Sequence, residues 1–237
     1  MVSLSVNLNK IALIRNSRGG NTPDVLTAAR AAESFGANGI TLHPRPDQRH
    51  ATYKDVENLK QIIKTELNVE GYPSREFMDI VCNVKPHQVT LVPDPPDALT
   101  SNAGWNTIEH GAMLTEIVAE LKSHGIRTSI FMDTDLSLYE SAASTGTDRI
   151  ELYTEAYARL YPESPEKAVQ PYKDAAARAH ALGLGVNAGH DLNSLNLRYF
   201  ATEVPYLMEV SIGHALVSEA LYLGLEKTIH LYLAQLK

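Results

Sequence analysis

Hydrophobic and polar positions switch between two periods along this chain. Stretches with an apolar residue every three or four positions give way repeatedly to short β-rich runs, and a glycine often stands at the joint. Phe35-Gly36 precedes Gly39-Ile40-Thr41-Leu42, and His124-Gly125 precedes Ile126 to Met132. Thr145-Gly146 precedes Arg149-Ile150-Glu151-Leu152, and Leu182-Gly183 precedes Gly185-Val186-Asn187-Ala188. A glycine there accepts the left-handed conformation that ends a helix, and the apolar run then enters a buried sheet. Val25, Ala28, Ala29, Ala32 and Phe35 form one helical stripe, with Thr22 as its cap and Pro23 at its first position. Val56, Leu59, Ile63 and Leu67 make a second, and Leu114, Ile117, Val118 and Leu121 a third.

Strands are predicted near residues 4–8, 39–43, 68–71, 88–92, 127–133, 149–153, 185–189 and 207–212. Eight strands alternating with helices over 237 residues fit one domain, 1–237, built as a closed parallel (β/α)8 barrel of the TIM type. An open doubly wound sheet is the alternative. Three features depart from the regular pattern. The Pro-, Asp- and Ser-rich connection from Val92 to Trp105 reads as a lid or as a plain surface excursion. Pro171 falls inside the helical stretch Pro165 to Leu182 and predicts a break or kink. Leu225, Ile229, Tyr232 and Leu236 form a last helical stripe, to seal one end of the barrel or to meet another subunit.

Composition changes the picture only at its edges. With 44% hydrophobic and 21% charged residues the chain can bury a large core and is not a disordered one. A net charge of −7 argues against nucleic acid or an anionic membrane as a main partner, while leaving room for phosphorylated metabolites held by a few local cations. The single cysteine, Cys82, excludes an intrachain disulfide and sits in a helical pattern as a packing residue. No apolar run has the length of a membrane span, and Met1 to Asn7 lacks the pattern of a signal peptide, so the cytoplasm is the expected compartment.

In a barrel of this kind, active sites form where strands end and the following loops begin. Strand one ends in Asn7-Leu8-Asn9-Lys10, strand two in His43-Pro44-Arg45 and strand three in Glu70. Strand four leads toward Thr100, strand five ends at Asp133, and strand six carries Glu151 and Thr154. Strand seven ends in Asn187-Ala188-Gly189-His190, and strand eight in Ser211-Ile212-Gly213-His214. Any one of these histidines alone reads more readily as a cap or a surface residue; three at one mouth point to acid–base chemistry. Burial of Glu70 would raise its pKa and suit it to act as a base, although a buried ion pair is the plainer reading. Gly189-His190 and Gly213-His214 follow strands seven and eight, where barrels often hold phosphate on backbone amides and a helix N-terminus. Arg15, Arg18 and Arg45 supply positive charge, unless Arg15 to Asn21 is only a solvated basic loop.

In order and at matching intervals, several of these segments resemble one family. They are Asn7-Leu8-Asn9-Lys10-Ile11-Ala12 with Arg15-Asn16-Ser17-Arg18-Gly19, Gly39 to Arg45 with Asp47-Gln48-Arg49-His50, Val186 to His190, and Ile212-Gly213-His214-Ala215. From Leu4 to about Leu225 the chain resembles the pyridoxine 5′-phosphate synthase family. The resemblance implies a TIM barrel with additional helices, assembled as a homo-octamer of dimers. It implies condensation of 1-deoxy-D-xylulose 5-phosphate with 3-amino-2-oxopropyl phosphate, with no metal and no organic cofactor. By position, His43 and Glu70 match proton acceptors and His190 a proton donor. Arg45, His50 and Thr100 match contacts to the deoxyxylulose phosphate; Asn7, Arg18, Gly213 and His214 match contacts to the aminoketone phosphate. Asn9 and Lys10 stand where the family often has Asp-His, and both remain substrate-contact candidates. Asp191 and Glu155 stand where glycines are familiar. Asp191 keeps a substrate-contact position, and both carboxylates are expected to point away from bound phosphate.

Three other readings compete. His43, Glu70, Glu151, His190 and His214 are possible ligands of a metal-dependent hydrolase or isomerase, although the chain has no His-x-His or His-Glu-x-x-His pair. Lys10 is a possible Schiff-base lysine of an aldolase. A catalytically silent phosphate-binding barrel is the non-enzymatic alternative.

Overall fold

The computed structural model describes residues 1–94 and 103–237. Eight parallel strands pair in sequence order and close on themselves: β1 (Ser3–Asn7), β2 (Gly39–Leu42), β3 (Glu66–Gly71), β4 (Gln88–Leu91), β5 (Arg127–Met132), β6 (Arg149–Tyr153), β7 (Gly185–Gly189) and β8 (Leu207–Ile212). β1 completes the ring on β8, with Leu4 beside Val210 and Val6 beside Ile212. The fold is therefore the (β/α)8 TIM barrel, and the predicted strands fall within two residues of the observed ones.

The helices in chain order are α1 (Asn9–Asn16), α2 (Val25–Ser34), α3 (Tyr53–Ile62), α4 (Arg75–Val84), α5 (Gly111–Ser123), α6 (Tyr139–Ser144), α7 (Glu155–Leu160), α8 (Pro165–Ala181), α9 (Leu197–Glu203), α10 (His214–Leu223) and α11 (Leu225–Gln235). Three of them, α1, α7 and α11, are additional to one helix per strand. The last does not plug the barrel: its Ile229 and Tyr232 are buried where α11 packs on α2, α9 and α10. Among the described residues no helix is long and apolar enough to cross a membrane.

Strand side chains alternate between two environments, as the pleat requires. Leu4, Val6, Ile40, Leu42, Leu67, Val69, Val89, Leu91, Ile150, Leu152, Val210 and Ile212 are fully buried in the hydrophobic core. The opposite parity points into the barrel and is largely polar. There Ser5 Oγ and Thr41 Oγ1 lie 2.7 Å apart, Thr90 donates to Asn68 at 3.1 Å, Arg127 Nε donates to Gln88 at 2.9 Å, and Asn187 Nδ2 donates to Glu209 at 3.4 Å. Arg127 also pairs with Glu66. Barrel interiors are more often filled by branched aliphatic layers. Here hydrogen bonds between neighbouring strands satisfy many of the buried polar groups, whose burial would otherwise be costly, while Asn68 Nδ2, Ser129 Oγ and Ser211 Oγ have no partner among the described residues.

Several local expectations are corrected. The cap of α2 is Asp24, whose side chain accepts from Thr27 N at 2.8 Å, and Thr22-Pro23 lies before it. The stripe through Val56 and Leu59 stops at Ile63, an extended C-cap, and Leu67 already belongs to β3. Helix α8 runs unbroken through Pro171. Proline there removes one backbone donor on an exposed face, while buried Ala168, Val169, Tyr172, Ala175, Ala176 and Ala179 hold the helix on its other side.

Candidate active site

At the C-terminal end of the strands a cavity of about 600 Å³ opens. Of the thirteen residues singled out from the sequence, eleven line it; Arg18 and Thr100 are the others. Arg18 is exposed on the turn after α1 and does not line the cavity. Thr100 lies outside the described residues. Leu13, Arg49, Glu151, Tyr153, Glu155 and Ser211 complete the wall.

The β1 rim is tied to its neighbours by two asparagines. Asn7 Oδ1 accepts from Asn9 N at 3.0 Å, and Asn7 Nδ2 stands 3.5 Å from Glu70 Oε2. Asn9 Oδ1 accepts from His43 N at 2.9 Å, so this side chain braces the end of β2. Lys10 follows in the first turn of α1 and faces the cavity.

His43 and Glu70 are both buried, with His43 Nδ1 3.9 Å from Glu70 Oε2. Burial, reinforced by Arg45, His50 and His190, holds the imidazole well below its ordinary pKa. Burial, reinforced by Glu151, Asp94 and Glu209, holds the carboxyl well above its own. Both shifts favour the uncharged forms. Glu151 is also raised, by burial first and by Glu209 second. Its carboxyl fits because β7 carries glycine opposite it: a Cβ at Gly189 would lie 2.3 Å from Glu151 Oε1.

His190 follows Gly189 with φ of 90°, a left-handed conformation uncommon for a residue other than glycine. Its ring lies against Phe131 and edge-on to Tyr153, with centroids 5.0 and 5.2 Å away, and its Nδ1 is buried with no partner among the described residues. Burial, then Arg45 and Lys10, lower its pKa to about 4. His50 is lowered to about 4 by burial, Arg45, Lys10 and Arg49. Positive charge thus gathers on the β1–β2 side, where Arg45 is buried and paired with Asp94 at 2.8 Å. Next to β1, at the end of β8, α10 begins at His214 with Gly213 as its N-cap and no side-chain cap, leaving first-turn amides for an anion.

Two expectations fail here. Arg15 is no phosphate ligand: it is buried and forms a bidentate pair with Asp55 at 2.6 and 2.9 Å, so its charge is already spent inside the protein. Glu155 and Asp191 do not point away, since both line the cavity. The chain gives them little choice of side, because Glu155 opens α7 directly at the rim and Asp191 leaves the left-handed turn at His190. Burial and then Glu155 raise the Asp191 pKa, with His214 opposing. Asp133, expected at the rim, instead accepts from Gly104 N at 2.8 Å, and Trp105 N donates to Phe131 O at 2.9 Å. These bonds fix the chain where it returns from the 95–102 segment. Among the described residues, no three His, Cys, Asp or Glu side chains are grouped to hold a metal ion.

Tyr153 carried no site role in the sequence, and Glu151 only that of a rim residue and possible metal ligand. The signal was available in the strand parity, because residues 149, 151 and 153 share the inward face of β6.

Comparison with known proteins bears on the family and the fold. The pyridoxine 5′-phosphate synthase of Christiangramia forsetii is 59% identical over 237 residues, covering 100% of both chains. That of Parabacteroides distasonis is 61% identical over 234 residues, covering 99% of this chain and 98% of its own. Among solved structures, a mutant tryptophan synthase alpha-subunit from Pyrococcus furiosus superposes with a TM-score of 0.64 at 16% identity, covering 98% of this chain and 97% of that one, a likeness of fold alone. The family model described as pyridoxal phosphate biosynthesis protein PdxJ matches residues 4–237, and the chain belongs to that family.

Proposed function

We propose that this enzyme condenses 1-deoxy-D-xylulose 5-phosphate with 3-amino-2-oxopropyl phosphate into pyridoxine 5′-phosphate, releasing phosphate and water. The observation that carries the reading is the convergence of His43, Glu70 and His190 on one cavity with a cationic wall and an uncapped helix start. The family relationship supplies the substrates.

The reaction joins an amine to a ketone, expels phosphate and water, and closes a ring through a carbanion-like carbon. Each step moves a proton. His43, whose burial favours the neutral imidazole, is suited to accept one, and Glu70 with its raised pKa serves as a base nearer neutral pH. His190 is the donor. Burial first and the field of Arg45 and Lys10 second depress its pKa, and bound phosphates would offset the second cause and so favour the imidazolium. Arg45, His50 and Thr100 hold the deoxyxylulose phosphate; Asn7, Gly213 and His214 hold the aminoketone phosphate, with Arg18 reaching it from the exposed turn. Lys10 adds a cation at the mouth, Asn9 positions His43, and Asp191 contacts substrate from the opposite rim. No metal or organic cofactor takes part.

Residues 1–237 act as one domain in the cytoplasm, assembled as a homo-octamer of dimers. Exposed Leu13, Ile14, Leu221 and Tyr222 favour such an assembly, because apolar surface of this kind is often covered by another subunit. Light scattering on the eluting protein tests the octamer.

The purified protein is incubated with both substrates, and pyridoxine 5′-phosphate and released phosphate are measured. Absence of product refutes the reaction. Glu70→Gln and His190→Asn should lower turnover by at least about 100-fold with little loss of folding. Wild-type turnover in both variants would refute the catalytic roles.

A further inference from the structure

Ser211 lies on the inward face of β8, two residues beyond Glu209 and two before Gly213. It lines the cavity, the residue is 5% exposed, and its Oγ is buried with no hydrogen-bond partner among the described residues. The neighbouring strands offer it no side chain. Its register partner on β7 is Gly189, and its partner on β1 is Ser5, whose hydroxyl is engaged with Thr41 at 2.7 Å. Thr90 and Thr154, also inside the barrel or at its rim, have protein partners. A buried hydroxyl without a partner is destabilising, so a group that keeps one at a cavity wall points to a ligand.

Its height in the barrel identifies the ligand atom. The backbone at Gly213 sits against Asn7, and the uncapped amides of α10 begin just beyond it. Ser211 stands two residues down the same strand, about 6.6 Å, with Glu151 near it across Gly189. A short phosphorylated ketone with its phosphate on the α10 amides would present its carbonyl oxygen next, one methylene below the ester.

We infer that Ser211 is a substrate-binding residue whose hydroxyl donates a hydrogen bond to the ketone oxygen of the aminoketone phosphate. This rests on the reaction proposed above. The bond opposes no charge in the ground state and strengthens as the carbonyl carbon is attacked and its oxygen gains negative charge. Ser211 therefore acts on binding and on the ring-closing step without itself exchanging a proton.

The test compares wild type with Ser211→Ala, with Ser211→Cys as a second variant that keeps the volume and weakens the donor. Ser129→Ala is the control, because Ser129 Oγ is also buried without a partner among the described residues but does not line the cavity. Melting is followed without ligand and with 3-amino-2-oxopropyl phosphate alone, and steady-state kinetics with both substrates. Ser211→Ala should melt at or above the wild-type midpoint, lose most of the ligand-induced shift, and lose about 10-fold in kcat/KM for the aminoketone phosphate. KM for the deoxyxylulose phosphate should stay unchanged, and Ser129→Ala should keep the wild-type ligand-induced shift and kinetics. A wild-type ligand shift and kcat/KM in Ser211→Ala, or an equal loss in Ser129→Ala, would overturn the inference. If wild type bound the aminoketone phosphate through Ser211 yet formed no product, the reaction would fall and the binding site would stand.

Discussion

Removing Arg15 tests whether the basic segment beside the cavity is architecture or ligand site. The guanidinium is 8% exposed and its partner carboxylate 10%. Besides its two bonds to Asp55, it donates to His50 O at 3.2 Å and to Asn16 Oδ1 at 2.9 Å, so one side chain pins α1, α3 and the loop bearing His50. Breaking a buried pair from one side costs about 3–5 kcal/mol, because the remaining charge is left without compensation. Asp55 would keep donors from Thr52 N at 2.8 Å and Thr52 Oγ1 at 2.9 Å, which places Arg15→Ala at the lower end, about 3 kcal/mol. For a chain of this size that corresponds to a fall in Tm of about 6–12 °C. Differential scanning calorimetry measures it. Arg15→Met combined with Asp55→Asn should recover part of the loss, since the amide keeps the helix cap and no longer buries a charge. An Arg15→Ala protein that melts like wild type but no longer binds inorganic phosphate would refute the reasoning and return Arg15 to the list of ligands.

Two further perturbations probe the barrel interior. Burial, then Glu66, raises the Glu209 pKa from 4.5 to about 7 against the pull of Arg149 and Arg127. The folded protein therefore keeps a proton that the unfolded chain releases near pH 4.5, and this group's contribution turns unfavourable as pH rises through about 7. Glu209→Gln should gain stability relative to wild type across that window, by about 3 kcal/mol at its upper end; parallel urea-unfolding profiles at pH 5 and 8 would refute it. Gly189→Ala would set a methyl 2.3 Å from Glu151 Oε1 and 3.2 Å from Ser211 O, forcing the carboxyl aside. It should cost about 1–3 kcal/mol of stability and about 100-fold in turnover; wild-type kinetics would mean that Glu151 has room to move without consequence.

The barrel was legible in the sequence because its signals are local. A glycine stop followed by a β-rich run marks a strand whatever the rest of the chain does, and seven of the eight strand starts fall within one residue of expectation. β3 begins earlier, at Glu66, where its backbone pairs with Gly39 of β2, a partner 27 residues back and invisible to any local pattern. Arg15 was misread for the same reason: Asp55 is forty residues on. Asp191 and Glu155 needed a backbone angle, the left-handed φ at His190, to reveal which way the rim turns.

The strands also encode their inner parity. Ser5 and Asn7, Thr41 and His43, Asn68 and Glu70, Gln88 and Thr90, Glu151 and Tyr153, and Glu209 and Ser211 repeat polar residues two apart, out of phase with the aliphatic series. In a barrel whose interior serves only packing, that phase would be filled by branched residues and the chemistry confined to loops. Here the polar phase continues below the rim, so Glu70 feels Glu151 and Glu209 through the interior and its raised pKa is set partly from beneath. The outer parity carries the hydrophobic stabilisation while the inner one tunes the acid–base groups. Substitutions two layers below the cavity should then change the pH dependence of the reaction more than substrate affinity, a separation that a purely loop-built site would not produce.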